Sequence, residues 1–517
     1  MQFKFITFVL LQTCFYHGKE NLLVNNIHMK RTNQVIFLIS VISLLFWSCS
    51  GNKSKNTEKC SPNILIIFAD DMGYGDPLCF NPNSKISTPQ IDRIAKEGMK
   101  LTNAHAAGTW CVPSRYGLLT GCYPFRNKRN YKESMISEDR VTIGKFLQQN
   151  NYQTACVGKW HQGIINEKNP VKGGRLAGGP VDKGFDYFFG IHASLDIPPY
   201  YYIENDHYVD YLTDTIGNSN SDGWSLIQGA FWRKGKISPG FKHEDVLKVL
   251  TGKVNNYLDN YKHSKGEKPF FMYFALTAPH TPWLPEKQFR GKSKVDIYGD
   301  FVTEVDYYIG TVLDKLKELG LNDNTLVFFA SDNGPVWYPN NVEKYNHNSV
   351  GPLSGMKADV LEGGHRMPFI VRWPGHIEHG TESNDPICFT DIFSTIADVI
   401  EKPLPANAAE DSYSFYTLFN GNKNYNRPPI IISNGGLFSI TYDGWKYING
   451  KGTGGFTEKI IGKYPNILPR DEYDGQLYNL SEDIGERNNL YDKNPEKVKE
   501  LSKMLVKYMK NPTRKNN

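Results

Sequence analysis

The chain has no dense block of lysine and arginine, and its formal net charge of +5 is small for 517 residues. Proteins that bind nucleic acid usually concentrate basic residues, so this composition argues against a nucleic-acid partner. None of the eight cysteines has the Cys-x-x-Cys spacing of a cysteine zinc site. No internal repeat or low-complexity segment follows residue 60. What remains is a globular protein, 40% apolar and 22% charged, whose length predicts one large domain and a smaller one.

The first sixty residues are predicted to be a targeting segment rather than part of the fold. A basic pair at 30–31 precedes an apolar run over 35–47, which is too short for a comfortable membrane span but suits the core of a signal peptide. Cys49 closes this run, and a polar spacer follows. The pattern is similar to a bacterial lipoprotein signal, which is cleaved before its cysteine and acylated on it. We therefore expect export to the periplasm or outer membrane, with a lipid anchor on Cys49.

Several alternatives stay open for the leader and the cysteines. Phe46 stands where lipoprotein signals usually have leucine, so ordinary secretion is the alternative to anchoring. Met29 directly precedes the basic pair and is expected to be the true start, which would make residues 1–28 a mis-called extension. Export permits a disulfide, but the sequence assigns none. The cysteines outside the leader, the anchor and the candidate site are Cys60, Cys79, Cys122, Cys156 and Cys388.

Two apolar strands each end in a pair of oxygen-bearing side chains. Residues 64–68 and 326–329 form short, continuous apolar runs, which are typical of central parallel strands covered on both faces. The pairs that follow them are Asp70 with Asp71 and Asp332 with Asn333. Sites in open α/β sheets gather beyond the carboxyl ends of strands, and adjacent acids there need a cation or hydrogen-bond donors. A solvated turn is the alternative for one pair, but the repetition favours a site for Ca²⁺ or, less well, Mg²⁺.

The segment from Gly108 to Arg126 is predicted to hold a reactive cysteine. Pro113 and Ser114 favour a helix N-terminus, which places Cys111 at or just before the helix start. A thiol there faces unpaired backbone N–H groups and lies one turn from Arg115, and both features favour negative charge. The alternative is an inert buried thiol at a helix start.

Basic side chains are predicted at the same edge of the sheet. They are Arg115, Lys159, His161, His280 and Lys357. Lys159 and His161 follow a predicted strand over 154–157, and their spacing of two would place both side chains on one face. A cation ringed by basic groups would neutralise the oxygens of an oxyanion ester and stabilise the leaving oxygen. We also expect a lysine among other cations to lose its proton readily.

The run Cys-x-Pro-Ser-Arg followed by Leu-Leu-Thr-Gly resembles the signature of the type I sulfatases. The family's Gly-Lys-Trp-His, Pro-His, Ser-Asp-Asn-Gly and Lys before Glu-Gly-Gly also stand here, in the family's order. The resemblance implies an alkaline-phosphatase-like α/β fold, with a large, mostly parallel central sheet flanked by helices, over residues 61–406. A smaller α+β subdomain with an antiparallel sheet is expected over 407–517. The resemblance also implies that a formylglycine-generating maturation enzyme oxidises Cys111 to formylglycine.

The resemblance also implies a role for each site residue. It assigns Ca²⁺ binding to Asp70, Asp71, Asp332, Asn333 and the modified Cys111. One hydroxyl of hydrated formylglycine would attack sulfur, and deprotonation of the other would release sulfate. Arg115 and Lys159 would steady this diol, and His161 would assist the release. Lys357 and His280 would bind sulfate oxygens, and one of them would protonate the leaving alcohol.

The expected activity is hydrolysis of sulfate esters on sulfated glycans. Candidate saccharide contacts, each of which has a structural role as its alternative, are Trp110, His192, Asp196, Tyr200 and Trp283. One alternative function is a phosphodiesterase or phosphonate monoester hydrolase of the same superfamily. Another is a catalytically silent lipoprotein that captures sulfated polysaccharide. The sulfate position, endo or exo action and the oligomeric state do not follow from the sequence.

Overall fold

The computed structural model describes most of the chain after residue 60, namely residues 61–129, 134–167, 174–225, 227–264, 268–421, 425–460, 462–464 and 473–511. Ser61–Asn517 forms one compact unit. None of the helices in these ranges is long and apolar enough to cross a membrane. The predicted leader, including Met29 and Cys49, lies outside the described residues, so the lipid anchor stays a prediction. The boundary between residues 406 and 407 also stays a prediction.

The described strands are short except at the centre of the fold. They are β1 (Asn63–Asp70), β2 (Met99–Leu101), β3 (Ala104–His105), β4 (Gln153–Lys159), β5 (Tyr187–Ile191), β6 (Ile203–Glu204), β7 (His207–Tyr208), β8 (Asp214–Ile216), β9 (Gly235–Ile237), β10 (Phe270–Pro279), β11 (Thr325–Ser331), β12 (Phe369–Arg372), β13 (Thr381–Ser383), β14 (Ile387–Cys388), β15 (Ile430–Asn434), β16 (Leu437–Tyr442), β17 (Trp445–Ile448) and β18 (Gln476–Asn479).

The described helices range from a single turn to about six turns. The α-helices are α1 (Pro89–Lys96), α2 (Cys111–Thr120), α3 (Ile143–Gln149), α4 (Val246–His263), α5 (Asp296–Glu318), α6 (Pro339–Tyr345), α7 (Glu362–His365), α8 (Asp391–Val399), α9 (Phe456–Ile460) and α10 (Pro495–Lys510). Short 3₁₀ turns lie at Pro124–Arg126, Val181–Lys183, His243–Asp245, Asn322–Asn324 and Tyr416–Asn420.

A ten-stranded sheet has the order β13-β2-β12-β11-β1-β10-β4-β5-β6-β7. Its five central strands, β11 to β5 in this order, are parallel, and antiparallel pairs flank them. Every residue of β1 is buried, because helices cover both faces. Even-numbered side chains such as Ile66 join one core with α2, α3 and α8, and odd-numbered ones such as Ile67 join another with α1, α4 and α5. The predicted large, mostly parallel sheet is therefore confirmed.

The register of β1 and β11 brings the predicted site together. Ala69 pairs with Ser331, and the backbone N–H of Asp332 donates to the carbonyl oxygen of Ala69 at 3.0 Å. Parallel strands end at the same edge of a sheet. The two oxygen-bearing pairs therefore lie side by side, as the sequence predicts.

The C-terminal part carries a second sheet, β15-β16-β17-β18, in which all neighbours are antiparallel. α10 packs on it, with Leu501 and Leu505 in one cluster with Ile431, Ile440 and Leu477. The predicted antiparallel C-terminal sheet and final helix are confirmed.

The stretch 165–245 is rich in glycine and proline and its weak periodicity gives no strand signal, yet it contains regular structure. β5 lies in it and is the fifth parallel strand of the main sheet, and two hairpins, β6–β7 and β8–β9, follow. β5 has only five residues and contains Gly190, which masks a strand pattern. The glycine is required because a Cβ there would lie 1.8 Å from the carbonyl oxygen of Gly158 on β4.

Glu304 of α5 predicts a pH dependence of stability. Its side chain is fully buried and accepts the backbone N–H of Glu286 at 2.8 Å, and burial raises its pKa from 4.5 to about 8. The folded state therefore holds this proton more tightly than the unfolded state. Its contribution to the free energy of unfolding is greatest below pH 4.5 and is lost as the pH rises to about 8.

Glu304→Gln keeps the shape and an acceptor but does not titrate. We expect the melting temperature of the wild type, relative to that of the variant, to fall between pH 5 and pH 8, measured by circular dichroism. Glu343→Gln, at an exposed position, is the matched control and should follow the wild type. Parallel curves for the wild type and Glu304→Gln would contradict this interpretation.

Candidate active site

The ends of β1 and β11 bring two pairs of oxygen-bearing side chains together. Asn333 Nδ2 donates to Asp71 Oδ1 at 2.6 Å, and the backbone N–H of Asp71 donates to Asp332 Oδ1 at 3.1 Å. Asp70 completes the group, and all four side chains are buried. Three carboxylates so close together repel one another unless cations balance them.

Arg115 and Lys159 bind the carboxylates on one side of this group. Lys159 Nζ lies 2.7 Å from Asp70 Oδ2. Arg115 Nε and Nη2 donate to Asp332 Oδ2 at 3.0 and 2.8 Å, and Nη2 lies 3.6 Å from Asp70 Oδ1. Arg115 Nη1 donates to the hydroxyl of Tyr273, a buried residue of β10, at 3.2 Å. The guanidinium is therefore fixed in place from both ends.

The pKa values of the two carboxyl groups that face Arg115 are shifted in opposite directions. Burial raises the pKa of Asp70, but the attraction of nearby cations, Lys159 first, outweighs burial and lowers the pKa below its ordinary value. Burial and the neighbouring charge of Asp70 raise the pKa of Asp332, although Arg115 opposes this. A bound cation would favour the charged form of both.

Lys357 and His280 approach the other side, at Asp71. Lys357 Nζ lies 2.7 Å from Asp71 Oδ2. His280 Nδ1 lies 2.6 Å from the carbonyl oxygen of Thr281, so Nδ1 carries a proton, and Nε2 lies 3.6 Å from Asp71 Oδ2. Burial lowers the pKa of Lys357, but the attraction of Asp71 outweighs burial and raises it. The expectation of a lysine that loses its proton readily is therefore wrong for Lys357, because carboxylates surround it as well as cations.

Cys111 is the first residue of α2, as predicted, and Trp110 before it is extended. A sulfur or oxygen ligand atom from each of Cys111, Asp70 and Asp332 lies within 4.8 Å of the others. Burial raises the pKa of the Cys111 thiol and outweighs the attraction of Lys159 and Lys357. The expectation of a stabilised thiolate is therefore wrong, because the start of the helix is buried rather than exposed to solvent.

His161 lies at the site but not on a strand. β4 ends at Lys159, and His161 has a left-handed φ of 52° in the turn that follows. Strand periodicity therefore does not explain its position. Burial and the charges of Lys159 and Arg115 place the pKa of His161 well below 6.5. Its imidazole is therefore neutral.

The donor atoms fit a hard divalent cation. Asp70 Oδ1 and Asn333 Oδ1 are buried and have no hydrogen-bond partner. Ligand atoms of Asp70, Asp71 and His280 also lie within 4.8 Å of one another. Buried polar atoms are normally paired, so these oxygens indicate a missing partner. Carboxylate and amide oxygens are the ligands that Ca²⁺ and Mg²⁺ prefer.

Three of the predicted saccharide contacts lie in the loop after β5. The backbone N–H of His161 donates to the carbonyl oxygen of His192 at 2.9 Å, so His192 borders the site. Asp196 forms an ion pair with Arg233, and the hydroxyl of Tyr200 donates to the carbonyl oxygen of Arg233 at 2.6 Å. All three predicted contacts are buried, and Asp196 and Tyr200 hold this loop against the segment that joins β8 and β9.

The other two predicted contacts are tryptophans. Trp110 is half-buried directly before Cys111, and so lies beside the site. Trp283 is buried and packs edge-on against Trp224, with ring centroids 4.9 Å apart. Contact of any of the five with a saccharide stays a prediction.

Sequence reasoning missed residues that support the site from behind. Tyr273 bonds Arg115, but an aromatic residue in an apolar strand reads as core. Ser331 Oγ accepts the backbone N–H of Met72 at 2.9 Å and so holds the turn after Asp71. Ser331 begins the Ser-Asp-Asn-Gly run, but that run predicts no role for its side chain, and no spacing signal marks Tyr273.

The comparisons with known proteins point to one family. A family model described as Sulfatase matches residues 62–401. The chain is 33% identical over 520 residues to an N-acetylgalactosamine-6-O-sulfatase of Bacteroides thetaiotaomicron, covering 92% of this chain and 99% of that protein. It is 31% identical over 377 residues to human N-acetylgalactosamine-6-sulfatase, covering 70% of this chain and 66% of that protein.

Solved structures agree in fold. One, from work on the metabolism of multiple glycosaminoglycans by Bacteroides thetaiotaomicron, has a TM-score of 0.75 and 31% identity, and covers 87% of this chain and 99% of its own. The phosphonate monoester hydrolase of Agrobacterium radiobacter has a TM-score of 0.55 and 17% identity, and covers 86% and 95%. The second likeness is one of fold alone.

Divalent cations are expected to stabilise the protein through Asp70. Calcium in large excess over its dissociation constant should raise the melting temperature, since a ligand at about 1,000 times Kd adds about 4 kcal/mol. Asp70→Asn should lose most of this rise. Asp306→Asn is the matched control, because Asp306 is a buried aspartate that accepts the N–H of Ile91 instead. An undiminished rise in Asp70→Asn would contradict the assignment.

Proposed function

Since the chain belongs to the sulfatase family and is a sulfuric ester hydrolase, we propose that it hydrolyses sulfate esters of glycans with a formylglycine made from Cys111 and a bound Ca²⁺. The observation that carries this proposal is the position of Cys111 at a buried helix start, beside Asp70 and Asp332. A plain buried cysteine would have no need of neighbours charged in this way.

The modified residue would supply a hydrated aldehyde as nucleophile, and Ca²⁺ would polarise the oxygens around it. Arg115 and Lys159 lie on the side of Asp332 and Asp70 and would hold the oxygens of residue 111 in position. His161 is half-buried and its lowered pKa keeps it neutral; we assign it to assist the release of sulfate.

Lys357 and His280 lie on the side of Asp71 and would bind the sulfate oxygens. Because the pKa of Lys357 is raised, it stays charged and is a poor proton donor. His280 Nδ1 donates to a carbonyl oxygen, which aims Nε2 into the site. We therefore assign protonation of the leaving alcohol to His280, through Nε2.

The choice of a glycan rests on the relatives and on the predicted export. The Bacteroides thetaiotaomicron and human relatives are named for N-acetylgalactosamine 6-sulfate. We propose a sulfated saccharide of this kind as the substrate, in the periplasm or at the outer membrane. The proposal also requires a maturation enzyme that converts Cys111 to formylglycine.

Neither alternative function gains support. The likeness to a phosphonate monoester hydrolase is one of fold, which sulfatases share. A silent glycan-binding protein needs neither Cys111 nor two oxygen-bearing pairs beside it.

Cys111→Ala is expected to lower sulfate release by on the order of 10³-fold or more, because it removes the nucleophile. The melting temperature should change little, and Cys122→Ala, a buried cysteine outside the site, should remain active. Release of sulfate from a mono-sulfated N-acetylgalactosamine is the measurement. Full activity of Cys111→Ala would end the proposal.

A panel of mono-sulfated saccharides, paired with the corresponding phosphate esters, tests the substrate class. We expect kcat/KM to be highest for one sulfate position and much lower for every phosphate, because a phosphate monoester brings a second negative charge beside the carboxylates. Equal or faster turnover of the phosphate esters would favour the phosphoester alternative instead.

A further inference from the structure

The ammonium group of Lys446 on β17 is buried between the C-terminal sheet and α7. Its side chain is fully buried, and Nζ lies 2.9 Å from both Glu362 Oε1 and Glu486 Oε1. Glu486 Oε2 accepts the backbone N–H of Glu362 at 2.7 Å. The C-terminal part therefore holds the first residue of α7 through an ion pair and through a cap on its backbone.

A chain of hydrogen bonds runs from Lys446 through His365 and His105 to Asn103. Lys446 Nζ and the carbonyl oxygen of Val360 each lie 3.2 Å from His365 Nε2; an ammonium can only donate, so we assign this nitrogen as the acceptor from Lys446 rather than as a donor to Val360. His365 therefore carries its proton on Nδ1 and donates to His105 Nδ1 at 3.0 Å. His105 then donates from Nε2 to Asn103 Oδ1 at 2.9 Å. Burial holds the pKa of both imidazoles well below 6.5, so both are neutral, as this chain requires.

α7 in turn supports three segments that carry site residues. The backbone N–H of Gly334, next to Asn333, donates to Gly364 O at 3.0 Å. Gly363 N donates to Ser354 O at 2.7 Å, three residues before Lys357, and Ala106 N donates to His365 O at 2.7 Å, five residues before Cys111.

The contact between α7 and the Asn333 segment has no free space. A Cβ on Gly334 would lie 1.9 Å from the carbonyl oxygen of Gly363. A shift of α7 toward Gly334 would therefore push on the segment that carries Asn333.

We propose that Lys446 is a positioning residue for the reaction, which fixes α7 and through it Asn333, Lys357 and the segment before Cys111. The C-terminal sheet then helps to hold active-site residues in position. This inference rests on the proposed function for its activity readout. The cluster of His105, Glu362 and His365 has the spacing of a metal site, but the ammonium of Lys446 already bonds two of its members.

Lys446→Met tests the proposal, with Arg427→Met as the matched control. Arg427 is also buried, also lies in the C-terminal part, and also pairs with a buried carboxylate, Asp391 at 2.6 Å. Its other bonds go to residues 123, 390, 428 and 429, not to α7. Each variant leaves one buried carboxylate without its cation, Glu486 in Lys446→Met and Asp391 in Arg427→Met, so both should lose stability.

Only Lys446→Met is expected to lose activity per folded, formylglycine-containing molecule, with that content measured by mass spectrometry. We expect kcat to fall between about tenfold and about a hundredfold, as small misplacements of catalytic groups do. Lys446→Arg should recover part of this loss. Equal kcat values in Lys446→Met and the wild type, or equal losses in Lys446→Met and Arg427→Met, would overturn the proposal.

A second measurement does not depend on activity. The affinity for Ca²⁺, measured by calorimetry, should fall in Lys446→Met and stay unchanged in Arg427→Met, because only the former displaces Asn333. If Lys446→Met does not fold, Glu486→Gln serves instead, since it removes one partner of the ammonium but keeps an acceptor for Glu362. An unchanged calcium affinity would contradict the positioning role, whereas an inactive wild type that binds calcium would count against the proposed function alone.

Discussion

Three buried carboxylates beside three buried cations are the constraint on which the rest of the structure depends. The carboxylates and the cations that face them are Asp70, Asp71, Asp332, Lys159, Lys357 and Arg115. Buried charges are tolerated only when they are paired, so these side chains have to reach one edge of the sheet from separate segments. The order of the central strands achieves this, because β1, β11 and β4 are parallel and end at the same edge.

Pairing alone does not complete the site. Asp70 Oδ1 and Asn333 Oδ1 have no hydrogen-bond partner, and Cys111 lies beside them as a neutral thiol, because burial outweighs the nearby cations. Both facts agree with a site built for a divalent cation and a modified residue 111. The close contact between Gly334 and Gly363 joins the segment of Asn333 to α7. The bond from Lys446 to Glu362 joins α7 to the C-terminal sheet.

The sequence predicts the residues at the strand ends well, but it predicts poorly the strands and side chains that support them. Asp70, Asp71, Asp332 and Asn333 follow apolar runs, and that pattern alone places them at one edge. β5 was missed because Gly190 and aromatic residues hide a short strand, and Lys446 was missed because a single lysine in a β-strand reads as solvated. The pKa directions of Cys111 and Lys357 also could not be predicted, because they depend on burial and on partners distant in sequence.

The central claim is that residue 111, once modified, lies against a calcium ion held at the two strand ends. A crystal structure of the active protein, purified from its native host with calcium, tests this most directly. We expect formylglycine at position 111 and one calcium ion bound by Asp70, Asp71, Asp332 and Asn333. An unmodified Cys111 in fully active protein, or calcium bound away from these residues, would contradict it.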